Sequence, residues 1–316
     1  MAKKVVQTAF GGPEVLKVIE VPEPDPGALK DGEALIRVHA AAVNPVDAQT
    51  RRGDGVAGLM GGFPFTVGWD LAGVVVATGP GAGLATGARV FGFASFPQQA
   101  GAYAQYAVVP AGDLVATPDA LDDVQAAALP LAALTAWQDL VDVAGLKPEQ
   151  RILIQGGAGG VGHLAVQLAR QLGAHVIATA RTARREWLMS LGADEVIDHT
   201  STDIAEVLRD DPVDVVLDTV GGPPAGRLLS VVKPGGILVA LPGVADDVAQ
   251  AAARAGVRAV YHAVHPDQDQ LAHLAALAAA GLLAATVSET FPLEQAADAH
   301  RAIETGHTRG KIVLVA

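Results

Sequence analysis

The fold is decided by Arg151-Ile-Leu-Ile-Gln-Gly-Gly-Ala-Gly-Gly-Val-Gly162. A short apolar run at 152–154 predicts a buried strand, and Gly157, Gly159 and Gly162 follow it with the spacing G-x-G-x-x-G. In this spacing the first glycine permits a tight turn, the second lets the backbone approach a pyrophosphate, and the third allows a helix to pack closely on the strand. The stretch therefore predicts a dinucleotide-binding turn.

The residues after the turn support this prediction, because a glycine-rich loop alone is a weak signal. Residues 161–172 carry apolar side chains at helical spacing, and residues 174–180 predict a second strand. Strand, turn, helix and strand within about 30 residues is the unit that the dinucleotide fold requires. The N-H groups at the start of the helix would face the phosphates. The predicted phosphate contacts are Gly157, Ala158, Gly159, Gly160 and Val161.

The end of the second strand indicates which dinucleotide binds. An NAD site holds an acid about 20 residues after the glycines, on the ribose 2′-hydroxyl, but residues 156–185 contain no Asp or Glu. Guanidinium groups pair with phosphate through two donors, so we predict NADPH. The alternative is that these arginines only begin a solvated helix. The residues predicted around the 2′-phosphate are Thr179, Ala180, Arg181, Thr182 and either Arg184 or Arg185.

Composition bounds the function. The chain has 316 residues, enough for roughly two domains, and a net charge of −12 with a pI near 5.1 argues against nucleic-acid or anionic-membrane partners. Apolar stretches are interrupted too often to predict a membrane span. The start leads directly into a strand pattern, so we expect a cytoplasmic enzyme with a small-molecule substrate. With no cysteine there is no thiolate nucleophile and no cysteine-ligated zinc.

Hydrophobic patterns divide the chain into two domains of different texture. Residues 1–122 show short strands broken by glycine and proline, which predicts a β-rich domain. Residues 123–262 alternate between helix and strand, which is typical of a doubly wound parallel sheet, with a helix at 123–144 broken near Pro130. Residues 263–316 are expected to rejoin the first domain. The predicted strands lie at 4–9, 33–41, 73–78, 89–93, 103–109, at about 152, 175, 194, 214, 236 and 257, and at 286–290 and 311–316.

Several segments resemble one family. They are residues 41–47 (AAVNPVD), 64–73 (PFTVGWDLAG), 102–106 (AYAQY), 135–137 (TAW), the glycine turn, 191–194 (LGAD), 218–221 (DTVG) and 306–311 (GHTRGK). In this order they resemble the zinc-independent quinone oxidoreductase (zeta-crystallin-like) branch of the medium-chain dehydrogenase/reductase superfamily. The resemblance implies an α/β fold in which a GroES-like catalytic domain joins a Rossmann domain that binds NADPH. It also implies a homodimer, and it places Pro45, Thr135, Arg309 and Lys311 near the cofactor. For Arg309 and Lys311 the alternative is a surface turn.

The resemblance also indicates where this chain departs from its zinc-dependent relatives. Asn44 stands in the place of their cysteine ligand and Trp69 in the place of their histidine, and only Asp70 keeps an acid. One carboxylate without cysteine or histidine is a poor zinc site, so we predict no metal. Many members of the zinc-independent branch have tyrosine, and others lysine, where this chain has Gln49, so a tyrosine-assisted mechanism does not carry over.

Without a metal, hydride transfer requires an acceptor that tolerates new negative charge. A quinone or an α,β-unsaturated carbonyl meets this requirement, whereas an isolated ketone would need an electrophile at its oxygen. We predict that Asn44 and Gln49 orient the nicotinamide or donate to the developing oxyanion; Asn44 is equally well explained as a turn residue before Pro45. An apolar wall for a flat acceptor is predicted from Met60, Phe63, Phe65 and Trp69; these side chains are equally well explained as part of the core.

Other features leave alternatives open. Residues 220–222 and 241–243 follow strands, and we assign Val220 and Leu241 to the adenine end of the cofactor. His262 and His265 are three residues apart, but they lack a third ligand and so predict a metal pair only weakly. The main functional hypothesis is an NADPH-dependent reductase of quinones or enones. The alternatives are a non-catalytic NADPH-binding sensor or crystallin-like protein and, less favoured, a zinc-type alcohol dehydrogenase.

Overall fold

The computed structural model describes residues 1–221 and 224–316. The strands in this part of the chain are β1 Ala2–Val6, β2 Lys17–Val21, β3 Glu33–Val43, β4 Asp70–Thr78, β5 Arg89–Phe93, β6 Tyr106–Pro110, β7 Leu114–Ala116, β8 Arg151–Gln155, β9 His175–Ala180, β10 Glu195–Asp198, β11 Val213–Asp218, β12 Val232–Ala240, β13 Arg258–Val260, β14 Val287–Pro292 and β15 Lys311–Val315. The α-helices are α1 Pro45–Arg52, α2 Asp123–Ala127, α3 Pro130–Trp137, α4 Gly162–Gln171, α5 Arg185–Ser190, α6 Ile204–Val207, α7 Pro224–Leu228, α8 Asp246–Arg254, α9 Gln268–Ala279 and α10 Ala296–Glu304.

Contacts divide the chain into two compact units. The first unit is 1–134 with 265–316, and the second is 135–264. The sequence predicts one domain of residues 1–122 with 263–316 and another of residues 123–262. These domain boundaries remain a prediction.

The first unit is built around a seven-stranded sheet. The strand order is β14-β15-β3-β4-β5-β7, with β6 paired to β3. The eleven-residue strand β3 is almost entirely buried and pairs antiparallel with β4, β6 and β15. Because β15 is the last strand of the chain, its pairing brings the carboxyl-terminal segment beside the end of β3. A separate two-stranded sheet is formed by β1 and β2.

The second unit is a six-stranded parallel sheet in the order β10-β9-β8-β11-β12-β13. Its central strands are continuous apolar runs, as expected for strands that are covered on both faces. The strand order reverses at β8, so the glycine turn that follows β8 lies at the topological switch point, where open α/β sheets bind ligands. The predicted α/β class and the doubly wound sheet are confirmed.

Each predicted strand overlaps or adjoins an observed strand, but several bounds differ: the strand predicted at 4–9 is β1, Ala2–Val6, and the strand predicted at 103–109 is β6, Tyr106–Pro110. The strand 89–93 has the predicted bounds, and the predicted break near Pro130 separates α2 from α3. The region predicted as helix to 144 ends in a π-helical turn, Gln138–Val143. Strand β4 begins at Asp70 rather than at residue 73, which places Asp70 within the sheet. Within residues 1–221 and 224–316, no helix has the length and apolar character needed to cross a membrane.

Candidate active site

Asn44 lies at the junction where β3 ends and α1 begins, and its side chain is buried. Its backbone N-H donates to Asp47 Oδ2 at 2.6 Å, and the N-H of Asp47 donates to the carbonyl oxygen of Asn44 at 3.0 Å. The first turn of α1 is thus closed through the backbone of Asn44 and the side chain of Asp47. The side-chain amide of Asn44 is therefore not needed to close this turn and is available for contacts with other residues. A residue that served only in the turn would not require such contacts.

The Asn44 amide bridges an acid and a base. Its Nδ2 donates to Asp70 Oδ2 at 2.8 Å, and its Oδ1 accepts a hydrogen bond from Lys311 Nζ. Lys311 Nζ is also 3.6 Å from Asp70 Oδ2, and Asp70 Oδ1 accepts from the N-H of Leu131 at 2.8 Å. Since the ammonium can only donate and the carboxylate accepts, the two neighbours fix which way the amide points.

Lys311 reaches this cluster because of the glycine before it. Gly310 has φ +72°, and a Cβ placed on it would lie 2.1 Å from the carbonyl oxygen of Thr286. The same carbonyl accepts from the N-H of Lys311 at 2.8 Å. No side chain larger than hydrogen fits this approach, so Gly310 sets the point at which β15 enters the sheet beside β3.

The cluster contains two carboxyls and one ammonium, all buried. Burial raises the pKa of Asp70, and the Lys311 ammonium and the Asn44 amide oppose this. Burial lowers the pKa of Lys311, and Asp70 and Asp47 oppose that. Burial raises the pKa of Asp47 to about 7, against the hydrogen bond from Asn44. The cluster therefore holds a dissociable proton near neutral pH.

A second buried network supports Asp47 from behind. The Tyr103 hydroxyl lies near the Asp47 carboxyl and is 3.2 Å from His300 Nε2, while Arg51 Nη1 is 3.2 Å from His300 Nδ1. Burial and Arg51 lower the pKa of His300 to about 3, so the ring is neutral. Arg51 can only donate, hence the ring proton is on Nε2 and points to Tyr103. Arg51 also binds Glu304 at 2.6 Å.

Sequence reasoning missed this network as a set. Asp47 and Tyr103 lie in segments that carried the family resemblance, but their local sequence gives no sign of a shared partner. Arg51 and His300 are 249 residues apart, and only the packing of α1 on α10 brings them together.

The other predicted catalytic and pocket residues lie outside this cluster. Gln49 and Pro45 are on the exposed side of α1, and a catalytic role for Gln49 stays a prediction. Phe63, which is 43% exposed, stacks on the buried Phe65 with ring centroids 5.3 Å apart.

Trp69 belongs to a different group of side chains. It is fully buried, meets Phe96 edge-on, and donates from Nε1 to the carbonyl oxygen of Gln98 at 2.6 Å. Met60 is buried as well. A common apolar wall of Met60, Phe63, Phe65 and Trp69 remains a prediction.

In the second unit the glycine turn has the predicted shape with one correction. The positive φ, +73°, belongs to Gly156, so the tight turn is one residue earlier than predicted from Gly157. A Cβ on Gly162 would lie 2.2 Å from the carbonyl oxygen of Gly156, so close packing does require glycine there. Thr179 holds the turn: its Oγ1 accepts from the N-H of Gly156 at 3.0 Å and its carbonyl from the N-H of Gly157 at 3.0 Å. Thr179 is buried, so its observed contacts are with the turn.

The turn offers unused donors to a phosphate. Within the described chain, the N-H groups of Ala158, Gly160 and Val161 have no hydrogen-bond partner, and they precede the amino end of α4. A Cβ on Gly159 would meet only the carbonyl oxygen of Gly156, at 3.3 Å, so its outer side is open. A pyrophosphate fits these residues, because helix amino ends bind anions through such groups.

The end of β9 carries exposed arginines and one acid that the sequence did not predict. Arg181 and Arg185 are exposed. Asp198 pairs in register with Ala180, because β10 lies beside β9. Its carboxylate accepts from the N-H of Thr182 at 2.6 Å, from the Thr182 hydroxyl, and from the N-H and hydroxyl of Thr200 at 2.9 and 2.6 Å.

These four donors fill the acceptor sites of the Asp198 carboxylate and hold its pKa well below the usual range. Asp198 is therefore occupied with its own turn and is a poor partner for a ribose hydroxyl. Thr182, predicted to donate to the 2′-phosphate, donates instead to Asp198.

Strand order bears on the assignment of Val220 and Leu241 to the adenine end of the cofactor, which stays a prediction. They follow β11 and β12, which lie on the side of β8 opposite to β9. If β9 reads the adenosine ribose, these residues lie toward the nicotinamide end and not the adenine end. Val220 is 57% exposed, and Gly222 lies outside the described residues. Thr135 is buried on α3 and Arg309 is half-buried before β15; their roles toward the cofactor stay predictions.

The donors around Asp70 do not fit a catalytic zinc. Asp70 Oδ2 and Asn44 Oδ1 both face the Lys311 ammonium, and the Trp69 ring is turned to a carbonyl oxygen. Zinc sites in proteins combine cysteine, histidine and carboxylate ligands. Here the Lys311 ammonium already lies against Asp70 Oδ2 and Asn44 Oδ1, the two oxygens that could otherwise act as metal ligands.

Comparison with known proteins places the chain in a family. Two family descriptions match it: "Alcohol dehydrogenase GroES-like domain" over residues 30–119 and "Zinc-binding dehydrogenase" over residues 191–314. The NADPH-dependent alkenal/one oxidoreductase of Arabidopsis thaliana is 37% identical, over 99% of this chain and 79% of its own. The quinone oxidoreductase of Pongo abelii is 33% identical, over 97% of this chain and 95% of its own.

Solved structures agree. The quinone oxidoreductase from Coxiella burnetii superposes with a TM-score of 0.94 at 36% identity, covering 100% of this chain and 99% of its own. The match to a GroES-like domain in the amino-terminal part confirms the predicted combination with a doubly wound sheet.

Proposed function

The chain belongs to the quinone oxidoreductase branch of the medium-chain dehydrogenase/reductase superfamily, and from this premise we propose that it is an NADPH-dependent, zinc-independent reductase of quinones or α,β-unsaturated carbonyls. The observation that carries the proposal is the buried contact of Lys311 with Asn44 and Asp70. It supports the proposal because Asn44, which the resemblance aligns with the cysteine ligand of zinc-dependent relatives, is held between a carboxyl and an ammonium.

NADPH would supply a hydride equivalent when bound. The turn Gly156–Gly162 would hold its pyrophosphate through the N-H groups of Ala158, Gly160 and Val161. Arg181 and Arg185 would meet the 2′-phosphate, since both are exposed at the end of β9.

The residues around Asn44 favour acceptors that become anionic. The Lys311 ammonium and the second N-H of the Asn44 amide give this cluster fixed donors, and such donors stabilise developing negative charge without reorganisation. A quinone or an enone spreads that charge over its own conjugated system and so needs no Lewis acid. An isolated ketone does not, which separates this function from a zinc-type alcohol dehydrogenase.

The experiment is steady-state oxidation of NADPH with a panel of simple quinones and conjugated enones, with saturated ketones as matched acceptors. We expect turnover with the conjugated acceptors and none with the saturated ones. Tight NADPH binding without turnover on any acceptor would instead indicate the non-catalytic sensor or crystallin-like alternative. One tightly held zinc per chain, with saturated ketones as substrates, would indicate the alcohol dehydrogenase alternative.

A homodimer and a cytoplasmic location are part of the same proposal. The homodimer follows from the family resemblance, and light scattering of the purified protein tests it. Microscopy of the tagged protein in its own cells tests the cytoplasmic location.

A further inference from the structure

The imidazole of His163 supports the glycine turn of the second unit. His163 is fully buried in the first turn of α4, and its Nδ1 is 2.9 Å from the carbonyl oxygen of Gly159. Because a carbonyl oxygen can only accept, the proton of this bond is on Nδ1. The N-H of His163 donates to the same oxygen at 3.2 Å, and the N-H of Gly159 donates to the carbonyl oxygen of Gly156 at 2.9 Å. Gly159 is therefore fixed through both of its backbone groups, next to the N-H groups of Ala158 and Gly160 that the turn offers to a phosphate.

The same imidazole contacts the helix that carries an arginine predicted to bind the 2′-phosphate. Trp187 lies in α5, which begins at Arg185. Its ring is stacked on that of His163, with the ring centroids 6.0 Å apart and the two planes inclined by 25°. Aromatic rings at such a separation attract each other. The His163 ring thus joins the pyrophosphate turn, through a hydrogen bond, to α5, through the stack.

Leu188, the next residue of α5, anchors the same helix on the turn. It is fully buried, and its Cδ1 would lie 3.6 Å from a Cβ placed on Gly157. Consecutive residues of an α-helix project about 100° apart, so Leu188 alone constrains the position of α5 more than its rotation about its own axis. The contact of Trp187 adds the second constraint, which fixes this rotation. The rotation in turn decides where the Arg185 side chain is presented.

The start of the segment is held independently of the stack. Asp198, at the end of β10, accepts from the N-H of Thr182 at 2.6 Å. The residues from 182 to 190 are thus held at their start by β10 and along α5 by Leu188 and Trp187. A substitution that removes only the stack should therefore loosen α5 and leave the fold of the unit intact.

We propose that His163 and Trp187 are positioning residues for NADPH, an inference that rests on the proposed function. His163 holds the pyrophosphate turn, and Trp187 holds α5 against it so that Arg185 meets the 2′-phosphate of the same nucleotide. Two groups joined in one ligand reinforce each other only when their two sites are held at the matching separation. The stack contributes to the preference for NADPH over NADH by preorganising two sites rather than by binding the nucleotide itself.

The test compares three ligands by isothermal titration calorimetry of the full chain. NADP⁺ carries both groups, NAD⁺ lacks the 2′-phosphate, and adenosine 2′-monophosphate lacks the pyrophosphate. Trp187→Leu should raise the dissociation constant for NADP⁺ by about tenfold, because α5 must then be restricted to one orientation as the second group binds. The constants for NAD⁺ and adenosine 2′-monophosphate should stay within about twofold, since each of these ligands uses one site only.

Three further variants separate the stack from the general stability of the helix. Trp187→Phe keeps a ring against the imidazole and should bind NADP⁺ within about threefold of the wild type. Met189→Ala changes a side chain of the same helix that is 48% exposed, and as a surface substitution it should leave all three constants within about twofold. His163→Phe keeps a ring but loses the hydrogen bond to Gly159. It should weaken NADP⁺ and NAD⁺ by the same factor and leave adenosine 2′-monophosphate unchanged.

A measurement without any nucleotide tests the contact between the ring and the turn. Nitrogen-15 NMR of the wild-type protein should show that His163 carries a proton on Nδ1, as the bond to Gly159 requires. A ring with its proton only on Nε2 would overturn the inference, because the ring would then not hold the turn.

Two binding results would also overturn it. One is a Trp187→Leu protein that binds NADP⁺ within about twofold of the wild type, and the other is an equal loss of affinity for all three ligands, which indicates a purely structural role. The binding measurements need no acceptor. A protein that binds NADP⁺ tightly but reduces neither quinones nor enones therefore contradicts the proposed function and leaves this inference standing. A wild-type protein that binds NAD⁺ as tightly as NADP⁺ contradicts the assignment of the arginines and, with it, this inference.

Discussion

Lys311 and Asp70 form the buried ion pair on which the polar cluster depends. Lys311 Nζ and Asp70 Oδ2 are 3.6 Å apart, with side chains 3% and 0% exposed. At an effective dielectric constant of about 20, two unit charges at this distance attract by about 5 kcal/mol. Removing one partner of a buried pair typically costs about 3–5 kcal/mol, because the other charge stays in the interior. We therefore expect Lys311→Met to lower the free energy of unfolding by about 3–5 kcal/mol at pH 7.

A double-mutant cycle isolates the pair. Asp70→Asn should also be strongly destabilising, but the double variant Lys311→Met/Asp70→Asn leaves neither charge of the pair in the interior. It should cost about 3 kcal/mol less than the sum of the single variants. The loss from Lys311→Met should also shrink at pH 5. Burial raises the pKa of Asp70, and a carboxyl with a raised folded-state pKa is stabilised at low pH and loses that stability as pH rises.

The assay is urea unfolding of the full chain, followed by circular dichroism. The control is Lys233→Met, because Lys233 Nζ lies only 3.0 Å from Asp214 while the two side chains are 39% and 24% exposed. An exposed pair contributes at most about 1 kcal/mol, so burial and not distance should decide the difference. Single losses that simply add, or a Lys311→Met loss no larger than that of Lys233→Met, would refute the reasoning.

Three further outcomes are expected. Arg181→Ala should raise the dissociation constant for NADPH by about 10–100-fold, which is the equivalent of one charged hydrogen-bonded contact. The dissociation constant for NADH should stay within about twofold. Fluorescence titration measures both constants, and equal losses of affinity would show that Arg181 does not bind the 2′-phosphate. Gly162→Ala should lower the free energy of unfolding by about 1–3 kcal/mol, since its Cβ would lie 2.2 Å from the carbonyl oxygen of Gly156. The control Gly58→Ala has open space around the site and should be near neutral. Equal effects of the two substitutions in urea unfolding would contradict this. The free energy of unfolding of Asp47→Asn should rise relative to that of the wild type as pH increases from about 4 to 7, because the pKa of Asp47 is about 7 in the folded protein and ordinarily 3.8. The gain is at most about 4 kcal/mol. A difference between the two proteins that does not change with pH would mean that Asp47 is not a buried, protonated acid.

The glycine turn could be predicted from the sequence because its causes are local. The strand before it, the glycine spacing and the helix after it are all fixed within a few residues of each other, and Gly162 has the predicted role. The error of one residue at Gly156 has a local cause too, since any of the five glycines in residues 156–162 can adopt positive φ and the pattern does not say which one does.

The polar cluster could be predicted only in part. Asn44 can be recognised from the sequence because it stands at a position known from the family resemblance. Its partner Lys311 is 267 residues away, and only the pairing of β15 with β3 brings the two together. No periodicity encodes such a contact, so the bridging of Asp70 and Lys311 by one amide had to come from the structure.

Asp198 illustrates the same limit in the cofactor region. The sequence shows no acid between residues 156 and 185, which is true along the chain. In space, the pairing of β10 with β9 brings a carboxylate to the end of β9. The register of one strand on another is a tertiary property, and here it also decides that the acid is occupied by Thr182 and Thr200.

The most direct measurement is transfer of deuterium from NADPH labelled at C4 to a conjugated enone, with a strong chelator present. The products are analysed by mass spectrometry and NMR. If the protein is a metal-independent hydride-transferring reductase, one deuterium appears at the β-carbon of the saturated ketone, and the chelator leaves the rate unchanged. Absence of deuterium from the β-carbon, or loss of turnover that added zinc restores, would contradict it.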